Sequence, residues 1–300
     1  MTRKQDVHRT SNSFVPKELD CKYLWHLISA ENENIFFGKL LTFLQSGLWC
    51  ARLDTFNDPL EGALPIPNVG LLRMALSEKQ SEMAGTIYKK AVLRSFASCW
   101  HISNNMPSLY AWCAFGGKGN GIAIRIKRQD MAKFVKSLNY AQNTCCYLGR
   151  VSYVDHGLDE IKDGNVIEPA FCVQKKYQRE NEARLLIHTS SLPPKRVNLK
   201  GPFGRLFKKE KGNIVSTDDG NRGFAGGHAN GNAVVASLPK EKFTICVGDG
   251  VSLSTRNRII DLCKHYEFPM RRIFCLPPNS HCKKMKYVFA PLRNGKNVVA

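Results

Sequence analysis

In residues 180 to 187, ENEARLLI, the charges Glu180, Glu182 and Arg184 fall at alternate positions, with Asn181, Ala183, Leu185 and Ile187 on the other parity. Successive side chains of a strand point to opposite faces, so this period of two predicts a strand with one ionic face and one packing face. Two carboxylates on one strand face lie about 7 Å apart and raise one another's pKa, and a guanidinium beside them compensates. Periodicity alone reads the ionic face as solvated and salt-bridged; lining a cleft, the same face would carry chemistry.

A strand of this kind needs partners, and the chain supplies them. KYLWHLI (22–28), LWCARL (48–53), VLRSFASCW, GIAIRIK (121–127), TCCYLGRVSYV and FTICVG read as further strands. Helices are expected after Ser29 as cap, with Phe36, Leu40, Phe43 and Leu44 as a stripe ending at Gly47, then near 74–92, over MPSLYAWCAF, at 128–138 and 168–179, and around Ile259, Leu262, Cys263 and Tyr266. Residues 201 to 232 are rich in Gly, Lys and Asn without periodicity and read as a mobile insertion. The fold class is α+β, as one domain over 20–300 after a basic arm at 1–19.

Lys and Arg outnumber Asp and Glu by 44 to 25, a formal charge of +19. Such a surface favours anionic partners, nucleic acid first among them, although composition alone does not locate a binding face. Lys175, Lys176 and Arg179 beside the ionic strand, and Arg205, Lys208, Lys209 and Lys211 in the insertion, are the candidate phosphate contacts. The polar N-terminus and the lack of 18 consecutive apolar residues predict a cytoplasmic protein with no membrane partner. Of the 11 cysteines, Cys50, Cys99, Cys113, Cys172, Cys246, Cys263 and Cys275 sit singly among apolar residues and read as structural; Cys145-Cys146 and His281-Cys282 lack zinc-ligand spacing, so no metal is expected.

Several residues outside the ionic strand are candidates for chemistry. His26 lies in an apolar and aromatic context where a packing role competes with a functional one. FNDPLEG (56–62) carries its own turn chemistry in Asn57, Asp58 and Pro59, and leaves Glu61 to face an unknown partner. Tyr110, Trp112 and Phe115 fall on one short helix before a run of glycines, where they either pack or sandwich a flat ring. Asp58, Glu61, Glu180 and Glu182 are also the carboxylates a metal-dependent nuclease would use, but no D-x-D or H-x-E spacing supports one. No G-x-G-x-x-G follows a strand, which disfavours a Rossmann dehydrogenase.

The order FNDPLE, SFAS, W-x-x-F before a glycine, V-x-Y and E-x-E-x-R, spread over most of residues 22–275, resembles a widespread bacterial domain-of-unknown-function family with N-D-P-x-E, W-x-x-Y and E-x-E-x-R motifs. Phe115 stands where that family usually has Tyr, and Tyr177 or Gln178 where it prefers Trp. The family in turn resembles the ADP-ribosyltransferase-like superfamily. That resemblance implies a split β-core and NAD as substrate, with Glu182, Glu180 and His26 as catalytic residues. His26, Tyr110, Trp112, Phe115, Arg52 and Arg184 would hold NAD: an aromatic ring for nicotinamide, an arginine for the diphosphate. The carboxylate would stabilise the oxocarbenium-like ion formed as the nicotinamide bond breaks. A nucleic-acid acceptor, a neutralising antitoxin and a role in bacterial conflict or antiviral defence are further implications. A non-catalytic nucleic-acid-binding or toxin-like protein that keeps the fold is the alternative.

Overall fold

A computed structural model describes residues 16–138, 144–161, 165–189, 214–218, 232–236 and 239–276. In chain order the elements are β1 (Tyr23–Ser29), α1 (Glu33–Gln45), β2 (Leu48–Arg52), α2 (Ile66–Ala75), α3 (Glu78–Leu93), β3 (Ser95–Ser103), α4 (Leu109–Phe115), β4 (Gly121–Lys127) and α5 (Arg128–Leu138). There follow β5 (Thr144–Arg150), β6 (Ser152–Val154), β7 (Cys172–Gln174), β8 (Glu182–Thr189), β9 (Ile214–Asp218), β10 (Asn232–Ala236), β11 (Thr244–Val247), α6 (Leu253–His265) and β12 (Ile273–Cys275). The α+β class is as the patterning predicts. A mixed, mostly antiparallel sheet runs β12-β11-β4-β1-β3-β2-β10-β9, with β8 on β3 and β5 on β8, and only β11 and β12 pair in parallel within it. A second small sheet pairs β6 with β7.

The sheet branches at β3. One edge of β3 pairs with β8 from Ser95 to His101, while the other is shared between β2 at Phe96 and Ala97 and β1 from His101 to Ser103. Between those two partners, at Cys99, the carbonyl has no strand amide to bond, and the His26 Nδ1–H takes it at 2.9 Å. A buried carbonyl left unpaired is costly, so the histidine closes a gap that the fork in the sheet opens.

The faces of the sheet divide the chemistry. Leu24 and Ile28 of β1, Phe96, Trp100 and Ile102 of β3, Ile122, Ile124 and Ile126 of β4, and Ala183, Leu185 and Ile187 of β8 bury one face against Phe36 and Leu40 of α1, Met131 and Phe134 of α5 and Ile259 of α6. The predicted apolar face of ENEARLLI is thus the core. On the other face Trp25, Ala123 and Cys246 pack beneath Trp112 of α4. Gly116 follows that helix because a Cβ there would lie 2.4 Å from the Trp112 ring, and Gly121 starts β4 because one there would lie 2.3 Å from the Ile28 carbonyl oxygen.

Several local expectations are corrected. Asn32, not Ser29, caps α1 by accepting from the Ile35 amide. The helix expected near 74–92 is α3, which a capping box of Ser77 and Gln80 starts, and a separate helix, α2, precedes it. No helix spans 168–179: a 3-10 turn over Glu168–Phe171, strand β7 and a second 3-10 turn over Lys175–Glu180 take its place. The insertion at 201–232 contains β9, which extends the sheet through β10, and ends on Asn232 of β10; its other residues, like 1–15, lie outside the described residues. The arm expected over 1–19 is tied down at its end, where Leu19 is buried and Lys17 bridges to Arg150.

Candidate functional site

Strand β8 begins at Glu182, not Glu180. Asn181 takes a left-handed conformation (φ 46°) at the end of the 3-10 turn, which breaks the alternation and places Glu180 on the turn itself. Arg150 Nη2 donates to the Asn181 side-chain oxygen at 2.8 Å, and Asn181 Nδ2 donates to the Ile102 carbonyl at 2.8 Å, fixing the corner to β5 and β3. The Glu182 amide donates to the Tyr153 hydroxyl at 2.8 Å, so the V-x-Y motif holds the first residue of β8.

The ionic face of β8 is buried, not solvated. Glu182 is 5% and Arg184 1% exposed. Arg184 Nε donates to Glu182 Oε1 at 2.9 Å, with Nη2 2.8 Å from the same oxygen as an ion pair, while Nη1 donates to Glu61 Oε1 and, at 2.5 Å, to the Ala170 carbonyl. Its guanidinium carbon lies 5.7 Å from the centre of the Phe56 ring. Burial pulls its pKa down, but Glu182 and Glu61 outweigh that and hold the guanidinium well above its ordinary range. Burial pushes the Glu61 carboxyl up, and Arg184 pulls it only part of the way back.

Glu61 reaches Arg184 because of the turn chemistry in FNDPLEG. Asp58 Oδ1 accepts from the Leu60 amide at 3.0 Å, the Glu61 amide donates to the Asp58 carbonyl at 3.1 Å, and Gln174 Nε2 of β7 donates to Asp58 Oδ1. The N-D-P-x-E and E-x-E-x-R motifs, 123 positions apart at Glu61 and Arg184, therefore meet in one buried cluster.

Above the cluster, Glu180 is half-buried, and its carboxyl is pushed up to about 7, first by burial and then by the charge of Glu182. Cys99, opposite Arg184 on β3, is pushed well above the thiol range, chiefly by burial. His101, missed because the strand reading stopped at Trp100, pairs with Glu182 across the ladder. Its Nδ1–H donates to the Glu180 carbonyl at 2.7 Å and its Nε2 accepts from the Ser108 amide at 3.3 Å, so the ring is neutral and ties the turn to the cap of α4; burial lowers its pKa. Extending the period of two past Trp100 would have found it.

Of the remaining expected NAD contacts, Arg184 meets Glu182 directly, whereas His26 and Arg52 lie on the other face of the sheet. The register Trp25↔His101↔Glu182 puts Trp25 on the Glu182 face and His26 on the opposite one, where its ring lies 5.4 Å from Trp100. Burial lowers its pKa. Arg52 pairs across β3 with Phe96, a residue of that same far face, and both Asp54 oxygens hold it, at 2.5 and 2.9 Å. Arg184 is engaged on both sides by carboxylates and offers no charge to a diphosphate. Trp112 is 2% exposed and packed, so it presents no ring for stacking; Tyr110 and Phe115 are the exposed aromatics of α4.

Lys175, Lys176 and Arg179 are exposed on the turn that delivers Glu180, whereas Arg205, Lys208, Lys209 and Lys211 lie outside the described residues. Cys113, expected to be structural, is exposed. Among the described residues no group of His, Cys, Asp and Glu could hold a metal ion, and no helix is long and apolar enough to cross a membrane. Comparison with protein-family models, curated proteins and solved structures finds no match for the chain.

Proposed function

We propose that the protein is an NAD-consuming ADP-ribosyltransferase-like enzyme that works at Glu180 and Glu182 and modifies a nucleic acid. The observation that carries this reading is the pairing of a half-exposed carboxyl near neutrality, Glu180, with a buried carboxylate two residues on, Glu182, beneath a turn bearing three exposed cations. A carboxyl that ionises near pH 7 can take a proton from an attacking hydroxyl or amine. A carboxylate held in low dielectric stabilises positive charge developing on the ribose as nicotinamide leaves. Tyr110 and Phe115 are the aromatic faces left for a nicotinamide or acceptor ring, and Lys175, Lys176 and Arg179 suit a polyanionic acceptor.

The test is incubation of the pure protein with NAD, with and without RNA or DNA, reading free nicotinamide and label transferred to the polymer. Glu182→Gln deletes charge at constant shape and is expected to lower turnover on the order of 10² to 10³-fold. A folded Glu182→Gln protein with full turnover would remove Glu182 from the chemistry, and loss confined to Glu180→Gln would put the role there.

The placement of His26 and Arg52 on the far face favours a second reading, in which the fold serves as a non-catalytic nucleic-acid-binding or toxin-like module, open to neutralisation by an acidic antitoxin. No nicotinamide released with or without a polymer, together with retained polymer binding, selects it.

A further inference from the structure

Of four carboxyl groups, Asp58, Glu61, Glu180 and Glu182, two, Glu61 and Glu182, meet on one guanidinium, Arg184. Each of the four appears among the charges acting on Glu180 or is Glu180 itself. The guanidinium is rigid and planar, and each of its edges is committed: Nε and Nη2 to Glu182 Oε1, Nη1 to Glu61 and the Ala170 carbonyl. Whatever fixes Nη1 therefore fixes the plane in which Glu182 is held. Whatever shares the positive charge also decides how much negative charge Glu182 retains.

We infer that Glu61 is a positioning residue: acting through Arg184, it sets the orientation and residual charge of Glu182 and, through them, the ionisation of Glu180. This rests on the ADP-ribosyltransferase reading for its catalytic consequence, but its electrostatic part stands without it. Three features support it. Glu61 and Arg184 are both buried, so their interaction is little screened. The Asp58 turn, anchored by Gln174, gives the Glu61 backbone one place to be. Among the described residues the Ala170 carbonyl is the other acceptor on Nη1, and it is uncharged.

Glu61→Gln retains the acceptor oxygen and the shape but removes the charge, and Glu61→Asp retains the charge. The groups acting on Glu180 are Glu182 and Arg184 of β8, Asp58 and Glu61 of the turn and the Tyr153 hydroxyl of β6, with Lys175, Lys176 and Arg179 on its own element. Removing one negative charge from that set lowers the carboxyl's affinity for a proton. In the full-length protein, carboxyl-carbon NMR should show Glu180 titrating at lower pH in Glu61→Gln and at nearly its wild-type position in Glu61→Asp. In nicotinamide release, the acid limb should move to lower pH in Glu61→Gln, and kcat on the plateau should fall on the order of tenfold with KM unchanged, the size of one weakened charge contact.

A purely structural Glu61 would lower Tm and the folded fraction but leave the Glu180 titration and the acid limb where they are; that result overturns the inference. If wild type releases no nicotinamide, the catalytic proposal falls, and the Glu180 titration in folded Glu61→Gln alone decides this one: a downward shift supports it and an unmoved titration overturns it.

Discussion

His26 and Glu182 project from opposite faces of one sheet, because Trp25, not His26, stands across from His101, which in turn stands across from Glu182. No rotamer can bring side chains on opposite faces to one substrate. His26 instead satisfies the Cys99 carbonyl where β1 and β2 part from β3. His26→Ala should therefore leave NAD affinity unchanged and cost about 1 to 3 kcal/mol of stability through the orphaned carbonyl and lost packing. Calorimetry and NAD titration on the same sample check it: weakened NAD binding at an unchanged Tm would contradict the face assignment.

Arg184 is the most exacting residue of the site. Arg184→Met leaves Glu61 and Glu182 buried side by side without a counter-ion, and breaking a buried pair in this way costs about 3 to 5 kcal/mol, or a fall in Tm on the order of 10 °C. Arg184→Lys keeps the charge but cannot serve both carboxylates and the Ala170 carbonyl with one fork, so it should fall between wild type and Met. Thermal melts order the three proteins, and a Met variant as stable as wild type would deny the cluster its place in holding the fold.

Much of this was legible in the sequence. The period of two in GIAIRIK and ENEARLLI, and the stripe of Phe36, Leu40, Phe43 and Leu44, correspond to β4, β8 and α1 with their core faces as expected. What was not legible depends on pairing. Parity within KYLWHLI says that Trp25 and His26 face apart, but only the register to β3 and β8 says which of them shares a face with Glu182. Likewise, a charged strand face reads as solvated until a turn 123 positions away, Glu61 to Arg184, is found to cover it. The short 3-10 turn at Lys175–Glu180 has no period of its own, and the left-handed Asn181 that removes Glu180 from the strand leaves no signature in composition.

The raised Glu180 carboxyl makes a signed prediction. An acid whose pKa is higher folded than unfolded binds its proton more tightly in the folded state, so its contribution favours the fold at low pH and fades as pH rises from its ordinary 4.5 through about 7. Glu180→Gln mimics the protonated form. Its Tm should match wild type near pH 4.5 and exceed it above pH 7, by an amount reduced by the solvent that reaches this half-buried group. Melts across that range decide it, and a variant less stable than wild type at pH 8 would mean that Glu180 is held as a favourable anion.

The exposed Lys175, Lys176 and Arg179 lead directly into Glu180, so a polyanion bound along this turn would place its own reactive groups beside the carboxyl pair. Lys176 Nζ lies 4.8 Å from the Tyr177 ring centre, which holds one of these cations against an aromatic face of the same turn. With a net charge of +19, general attraction to nucleic acid is expected in any case, and the question is whether this turn carries it. Counterion release separates the two possibilities. Each phosphate contact adds roughly 0.7 to 0.9 to the slope of log affinity against log salt, so the triple alanine variant should bind labelled RNA or DNA more weakly, with the slope reduced by about 2 to 3. Affinity lost without a change in slope would mean the turn contributes shape and not phosphate contacts. No measurable binding by wild type near about 100 mM salt, for either polymer, would leave the basic surface to an acidic protein partner.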